Sequence, residues 1–210
     1  MSESLHDSLF QALATEPLRP SERPDELPSG LRDRLVAQAS AEGLLDVTYR
    51  VVDSPLGRLL LAATPAGLVR VAYAAQDHDA VLQELSDRIG SRVLLSPSGL
   101  DDVARQLEAY FDGRVALIDV PLDLRLAHGF RRDVLGHLRQ IPFGETESYK
   151  EVATASGSPR AVRAVGSACA TNPMPIVIPC HRVVRTGGGL GGYVGGLDAK
   201  RFLLDLEQAA

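Results

Sequence analysis

The hydrophobic pattern of this chain changes character at Pro121. Before it, residues 46–74 hold three short runs rich in apolar and β-branched residues, separated by turns that contain Pro or Gly. Such runs predict the strands of an antiparallel meander. After Pro121, apolar residues recur at the spacing of amphipathic helices. We therefore expect an α+β fold, in which a small N-terminal α+β domain with an antiparallel sheet (residues 46–120) precedes a mostly helical C-terminal domain (residues 125–210).

Shorter elements complete this prediction. The N-terminal domain is expected to contain helices near Asp79–Ile89 and Leu100–Phe111 and strands near Val93–Leu95 and Val115–Val120. Residues 1–45 are predicted to be an extension or linker. It would hold a short helix around residues 5–13, a proline-rich stretch, and a second helix over Leu31–Glu42.

The helical half contains the pattern of a helix-turn-helix. An amphipathic helix is predicted over Phe130–Leu138, followed by two short helices over Tyr149–Ala155 and Arg160–Thr171. The last two are joined by Ser156-Gly157-Ser158-Pro159, a short turn with a glycine. Such a pair is typical of DNA-binding motifs, although plain helical bundles use it too.

The charge is distributed unevenly along the chain. The net charge is −5, but residues 1–124 carry 11 basic against 20 acidic residues, and residues 125–210 carry 11 basic against 7 acidic residues. A basic half behind an acidic half indicates a site for a polyanion in the C-terminal half, with solvated helix faces as the alternative interpretation.

Composition excludes several classes of protein. Two cysteines in 210 residues exclude a disulfide scaffold and favour a reducing compartment. No apolar run is long enough to span a bilayer, and the N-terminus lacks the basic and apolar regions of a secretory signal. The chain is therefore expected to be a soluble, cytoplasmic protein with no membrane partner.

The sharpest motif is the segment PIVIPCHRVV, in which Cys180 lies between Pro179 and His181. A catalytic cysteine acts as a thiolate, and a neighbouring histidine can accept its proton directly or through water. A third group should orient that histidine, and the candidates are Glu207 and Asp205 near the C-terminus. Taken as an isolated pair, a buried cysteine beside an unrelated histidine would be the commoner explanation.

Other residues with possible chemistry give weaker patterns. Cys169 lies inside a predicted helix with no adjacent base, so we interpret it as a packing residue. The remaining histidines are scattered singly, so no metal site is predicted. Residues 186–196 contain seven glycines, but no P-loop or dinucleotide-binding pattern, so no cofactor is expected. This loop either is flexible surface or forms the wall of a small pocket beside Cys180.

Together these segments resemble a known family. PIVIPCHRVV, preceded by RAVGSACATNP and followed by GGYVGGLDAKRFLLDLE, is similar to the methylated-DNA–protein-cysteine methyltransferases, also called O6-alkylguanine-DNA alkyltransferases. The strong similarity covers Ile141–Glu207, whereas residues 46–120 match the N-terminal domain of the family in layout only. The resemblance implies repair of DNA by a single, irreversible transfer of the O6-alkyl group of guanine, and by extension the O4-alkyl group of thymine, to Cys180.

The resemblance also implies catalytic roles. Cys180 matches the nucleophile, and His181 matches the base that takes the thiol proton through a water. Glu207 matches the carboxylate that orients the histidine. Asn172 matches the asparagine that braces the turn at the active site. The protein would act as a monomer on double-stranded DNA that contains O6-alkylguanine.

The family pattern further assigns residues that handle DNA and the flipped base. Arg163 matches the arginine that fills the vacated stack, and Tyr149 matches the tyrosine that rotates the phosphate and contacts the base. The carbonyls of Cys180 and Val183 would read the exocyclic amine, and the backbone N–H of Val194 would hold the oxygen. Family members often carry a small polar residue at the Val194 position. The substrate- and DNA-binding set is completed by Tyr193 and Arg182.

Two other functions compete with alkyl transfer. Alkyltransferase-like proteins share the fold but lack the cysteine and only mark damage, whereas this chain retains Cys180. A thiol hydrolase built on Cys180 and His181 is the second alternative, but no pattern for an oxyanion hole accompanies them.

Overall fold

The computed structural model describes residues 29–96 and 98–209. The helix predicted around residues 5–13 and the proline-rich stretch lie outside the described residues. The secondary structure, in chain order, is α1 (Ser29–Ala41), β1 (Val47–Val52), β2 (Leu59–Thr64), β3 (Gly67–Tyr73), a 3₁₀ turn (Ala74–Gln76), α2 (His78–Arg88), β4 (Val93–Leu95), α3 (Asp101–Phe111), α4 (Phe130–Leu138), β5 (Glu147–Ser148), α5 (Tyr149–Ala155), α6 (Val162–Ala170), a 3₁₀ turn (Cys180–Arg182), β6 (Val183–Val184) and α7 (Gly196–Ala209).

The N-terminal sheet has the strand order β3-β2-β1-β4. β1, β2 and β3 pair antiparallel, which confirms the predicted meander. β4 joins the other edge of β1 in parallel, because helix α2 carries the chain back across one face before it returns to the sheet. The sheet is therefore antiparallel with one parallel edge strand.

The two faces of the sheet pack against different partners. Alternate residues of β2 point to opposite sides, as the pleat requires. Leu60 and Ala62 pack against α2, whereas Leu59 and Leu61 belong to the main hydrophobic core. That core also contains Val134 of α4 and Cys180, so residues from before and after Pro121 are buried together. The domain boundaries at residues 120 and 125 stay a prediction.

The strand predicted over Val115–Val120 is wrong. These residues have no strand structure, and the backbone of Asp119 is instead paired with the side chain of Gln106 on α3, which donates to its carbonyl at 3.0 Å and accepts from its N–H at 2.7 Å. The chain touches the sheet just afterwards, where Leu68 donates to the carbonyl of Pro121 at 2.8 Å. The Gln106 side chain therefore forms with the Asp119 backbone the hydrogen bonds that a neighbouring strand would otherwise form.

The approach of Pro121 to the sheet depends on Gly67. Gly67 has a φ of 137°, and a Cβ at this position would lie 2.4 Å from the Pro121 carbonyl oxygen. Only glycine allows both the conformation and the close contact. This contact joins the meander to the start of the helical half.

The helical half follows the sequence prediction closely. Helices α4 and α5 have the predicted ends, and Ser148 caps α5 together with Glu151 in a capping box. The helix predicted from Arg160 begins later, at Val162, because residues 159–161 form a turn. The α5–turn–α6 unit is the predicted helix-turn-helix. No helix in the described part of the chain is long and apolar enough to cross a membrane.

Candidate active site around Cys180

The segment before Cys180 is a tight turn, although its apolar residues predict a strand. Pro175 and Ile178 form an isolated bridge, and Ile176 has a φ of 74°, which β-branched residues rarely adopt. The Asn172 side chain stabilises this turn, because its Nδ2 donates to the Ile178 carbonyl at 2.8 Å and its Oδ1 accepts from the Met174 N–H at 3.0 Å. The chain then enters a 3₁₀ turn that begins at Cys180.

Cys180 is buried, with 1% of its surface exposed. Asn172 Nδ2 lies 3.1 Å from its Sγ and can donate to a thiolate there. Burial raises the pKa of the Cys180 thiol to about 11, against smaller opposite effects of Asn172 and Lys200. The resting group is therefore a thiol, and a base must remove its proton for it to react.

His181 and Glu207 form a buried pair beside the cysteine. His181 Nε2 lies 2.8 Å from Glu207 Oε1, and the side chains are 0% and 1% exposed. Burial lowers the pKa of His181, and this effect outweighs the opposite effect of Glu207. The imidazole is therefore neutral in the resting protein. Asp205, the other sequence candidate for the carboxylate, is exposed on α7.

Five hydrogen-bond donors converge on the Glu207 carboxylate: His181 Nε2, Tyr110 Oη, Arg182 Nε, Arg182 Nη2 and the Gly144 N–H. Burial alone would raise the pKa of Glu207, but the hydrogen bonds from His181, Arg182 and Tyr110 lower it to about 2. Glu207 is therefore a carboxylate throughout the neutral pH range.

This charge state fixes the tautomer of His181. Because the carboxylate can only accept, Nε2 of His181 carries the proton that faces Glu207. Nδ1 then holds the free lone pair. It is buried and has no hydrogen-bond partner among the described residues. Nδ1 is consequently the atom that can receive a proton from Cys180.

Tyr110, which lies within the helix predicted over Leu100–Phe111, also belongs to the site. Its hydroxyl donates to Glu207 Oε1 at 2.5 Å and lies 3.4 Å from His181 Nε2. Burial, together with the nearby Glu207 charge, raises the pKa of Tyr110, so it stays a donor. No local pattern could find it, because α3 lies about 70 residues before the cysteine motif.

Arg182 differs from the expectation that it binds substrate or DNA. It is 4% exposed, and its guanidinium donates to both Glu207 oxygens at 2.9 Å and to the Ile141 carbonyl at 2.6 Å. Its charge is thus used inside the protein as the partner of Glu207. A planar guanidinium is suited to this two-point contact with a carboxylate.

Lys200 is a second residue that the sequence analysis missed. It is fully buried on α7, and its ammonium donates to the Val183 carbonyl at 2.5 Å and to the Leu190 carbonyl. It therefore ties the glycine-rich loop to the strand after Cys180. The sequence pattern that could have identified Lys200 is its position on the buried face of α7, seven residues before Glu207.

The remaining predicted residues lie around this buried centre. The Tyr193 hydroxyl is 2.8 Å from that of Tyr73, and its ring meets His181 edge-on. Tyr149 is half-buried at the start of α5, and a Cβ on Gly191 would lie 2.6 Å from its hydroxyl, so the loop packs on this tyrosine through a glycine. Val194 is half-buried in the same loop.

Among the predicted substrate- and DNA-binding residues, Arg163 is the exposed one, and it lies in the first turn of α6. Val162 beside it is also exposed.

Cys169 lies on the buried side of α6, and burial strongly raises the pKa of its thiol. In the described part of the chain, no group of three His, Cys, Asp or Glu residues could hold a metal ion.

Comparison with known proteins gives a consistent result. The family model described as 6-O-methylguanine DNA methyltransferase, DNA binding domain, matches residues 129–209, and the ribonuclease-like domain of the same family matches residues 47–124. The methylated-DNA–protein-cysteine methyltransferase of Methanosarcina barkeri is 41% identical over 76% of this chain and 96% of its own length. The one from Mycolicibacterium paratuberculosis is 43% identical over 77% and 93%.

Solved structures agree with these relatives. The crystal structure of the Mycobacterium tuberculosis O6-methylguanine methyltransferase has a TM-score of 0.69 and 40% identity, over 78% of this chain and 93% of that one. A structure of the Mycobacterium tuberculosis protein in complex with DNA has a TM-score of 0.68 at the same identity, over 77% and 93%. With its fold and both parts matched, the chain belongs to the 6-O-methylguanine DNA methyltransferase family.

Proposed function

We propose that this protein repairs alkylated DNA by direct reversal, transferring the O6-alkyl group of guanine in duplex DNA to Cys180. The O4-alkyl group of thymine is included as a second substrate. The observation that carries this proposal is the buried Cys180 thiol beside a histidine whose tautomer is fixed by Glu207. The relatives named above are methylated-DNA–protein-cysteine methyltransferases, which supports the same chemistry.

The transfer is a single displacement at the alkyl carbon. The thiol proton passes through a water to His181 Nδ1, and Glu207 stabilises the imidazolium that forms. A bond forms between Sγ and the alkyl carbon, and the bond from that carbon to O6 breaks with its electron pair on the oxygen. The released guanine takes up one proton, and the hydroxyl of Tyr149 stabilises the leaving oxygen while charge develops on it.

The guanine is recognised by backbone groups. The carbonyls of Cys180 and Val183 accept from the exocyclic amine, and the N–H of Val194 donates to the oxygen. The Val183 carbonyl already accepts from Lys200, and the Cys180 carbonyl accepts from the Val183 N–H. Since a carbonyl has two lone pairs, each retains one acceptor position for the base.

The burial of Cys180 requires that the base leave the duplex. With 1% of the cysteine exposed, no alkyl group inside a stacked helix can reach Sγ. The helix-turn-helix α5–α6 binds the minor groove, and Arg163 stacks in the place of the flipped base, because a planar guanidinium can fill that gap. Tyr193 forms a wall of the pocket, and Asn172 holds the turn that presents the thiol.

The product is a thioether, which has no leaving group that His181 could help to expel. Each molecule therefore reacts once. This distinguishes the proposed function from a thiol hydrolase, which would release its product and turn over, and from a binding module, which would stay unmodified.

Intact-mass measurement after incubation with an O6-methylguanine duplex tests the proposal. We expect one added methyl group per protein and no turnover beyond one equivalent of DNA. Cys180→Ala should remove the mass shift and retain DNA binding, whereas Cys169→Ala, the matched control, should keep the shift. Methyl on Cys169, or repeated turnover, would refute the assignment.

A further inference from the structure

A cavity lined by arginines lies between the sheet domain and the helical half. Its volume is about 280 Å³. β3, α2 and α4 contribute Arg70, Arg88 and Arg131, and the far wall is formed by the C-terminal end of α6 and by Val194 of the glycine-rich loop. None of these arginines is among the residues that carry the proposed chemistry at Cys180.

The positive charge of this cavity is only partly compensated. Among its lining residues, Glu84 is the one carboxylate, and it lies 2.6 Å from Arg88 and 3.6 Å from Arg70. Arg131 has no carboxylate partner there and donates to the Thr171 carbonyl at the end of α6. Three guanidinium groups and one carboxylate leave the cavity with an excess of two positive charges.

Two of the guanidinium groups also have buried donors without a partner. The Nε atoms of Arg70 and Arg131 are inaccessible to solvent and make no hydrogen bond to any residue that the structure describes. The Arg70 side chain is 13% exposed. Burial lowers the pKa of both arginines, and the positive charge of Arg88 lowers both further. Unpaired donors and repelling charges destabilise the protein, unless an anion binds between them.

We propose that this cavity is a binding site for a phosphate group, supplied by the backbone of the bound DNA strand. Its volume is just below the range of about 300–1,000 Å³ typical of sites for larger organic ligands, which suits a phosphate with a few waters. Arginine donors match the oxygens of a phosphate in geometry and charge.

The position of the cavity favours DNA as the source of the phosphate. Asn172 and Val194 line the cavity, and Asn172 Nδ2 also lies 3.1 Å from Cys180 Sγ, so the cavity adjoins the active site. The assignment to DNA rests on the proposed function. The alternative source of the same chemistry is free inorganic phosphate, which the experiments below separate.

The first experiment measures the thermal stability of the full chain in potassium phosphate and in potassium chloride at matched ionic strength. We expect phosphate to raise the Tm of the wild type by at least about 2 °C, because it binds only the folded protein. Arg70→Met should lose this rise, and it should have the higher Tm in chloride, because it removes a buried guanidinium with an unpaired Nε and relieves the repulsion with Arg88. Arg88→Met provides a second, more exposed variant in case Arg70→Met does not fold.

The second experiment measures the affinity for duplex DNA as a function of salt. Loss of one phosphate contact should reduce the slope of log K against log salt by about 0.9 in Arg70→Met or Arg88→Met. Arg58→Met is the control, because it removes one positive charge from an exposed residue outside the cavity. We expect this variant to keep the wild-type slope.

The outcomes separate the possibilities. A lost phosphate effect together with the smaller slope supports the DNA phosphate. A phosphate effect with an unchanged slope overturns the DNA assignment in favour of a free anion, and no phosphate effect with an unchanged slope overturns the site itself. Alkyl transfer from free O6-benzylguanine to the wild type tests the proposed function without any phosphate. A failure of the proposed function can therefore be distinguished from a failure of the phosphate site.

Discussion

Replacing Glu207 by glutamine removes the buried negative charge that holds the active site together. The amide keeps the shape of the side chain but turns one of its oxygens into a donor. That donor would face groups that themselves donate: Arg182, His181 or the Gly144 N–H. The substitution therefore leaves Arg182 as a buried cation without its partner.

The structure sets the size of the expected loss of stability. Removing one member of a buried ion pair costs about 3–5 kcal/mol. The pKa of Glu207 gives a loss of similar size, since a carboxyl group whose pKa is lowered from 4.5 to about 2 contributes about 3 kcal/mol of stability at neutral pH. Since the folded-state pKa is lowered, this contribution is complete above pH 4.5 and is lost as the pH falls towards 2. The Tm should fall by about 6–20 °C.

The rate of alkyl transfer should fall as well. Without the carboxylate, the imidazolium of His181 is less stable, and the thiolate of Cys180 forms less readily. We expect a loss of about 10- to 100-fold near neutral pH, which corresponds to roughly 1.4 to 2.7 kcal/mol. The rate should partly recover as the pH rises, because hydroxide then removes the thiol proton.

The assay combines calorimetry with a pH–rate profile, measured well below the Tm of the variant. Free O6-benzylguanine serves as the substrate, so DNA binding does not enter. Asp205→Asn is the control, because it removes an exposed carboxylate from the same helix and should change neither quantity by much. Equal effects of the two substitutions, or an unchanged Tm and profile for Glu207→Gln, would refute the reasoning.

Three further substitutions test other parts of the structure. Tyr110→Phe should lower the free energy of unfolding, measured by calorimetry, by about 1.5–3 kcal/mol, because the hydrogen bond to Glu207 is lost. Its rate of alkyl transfer from the free base should fall by less than that of Glu207→Gln. Arg163→Ala should slow transfer from duplex DNA more than from free O6-benzylguanine, and equal losses would remove its role in base flipping. Gly67→Ala should destabilise the protein by more than the roughly 1 kcal/mol expected for Gly57→Ala in urea unfolding, because only Gly67 contacts the Pro121 backbone.

Local patterns in the sequence were sufficient for much of the fold. The ends of α4 and α5 follow from helical periodicity and capping residues, and the meander follows from short runs between turns. The Cys180-His181 motif and its flanking segments were enough to identify the family. Each of these signals lies within a few residues of what it predicts, which is why the sequence alone carries it.

The tertiary structure decided which groups surround the reactive thiol. Periodicity shows that Tyr110 and Lys200 are on buried faces, but not that one meets Glu207 and the other the Val183 carbonyl. Arg182 was expected among the substrate- and DNA-binding residues, and only the fold supplies the buried carboxylate that pairs with it.

The wrong strand prediction over residues 115–120 and the turn formed by the strand-like residues 175–178 have the same physical cause. Residues 115–120 and 175–178 have the apolar, β-branched composition of strands, yet the side chains of Gln106 and Asn172 take hydrogen bonds that would otherwise form a ladder. Strand propensity describes a residue's fit to a sheet and cannot say whether a neighbouring strand is available. The turn before Cys180, and with it the position of the nucleophile, is therefore set by a side chain and by packing rather than by local preference.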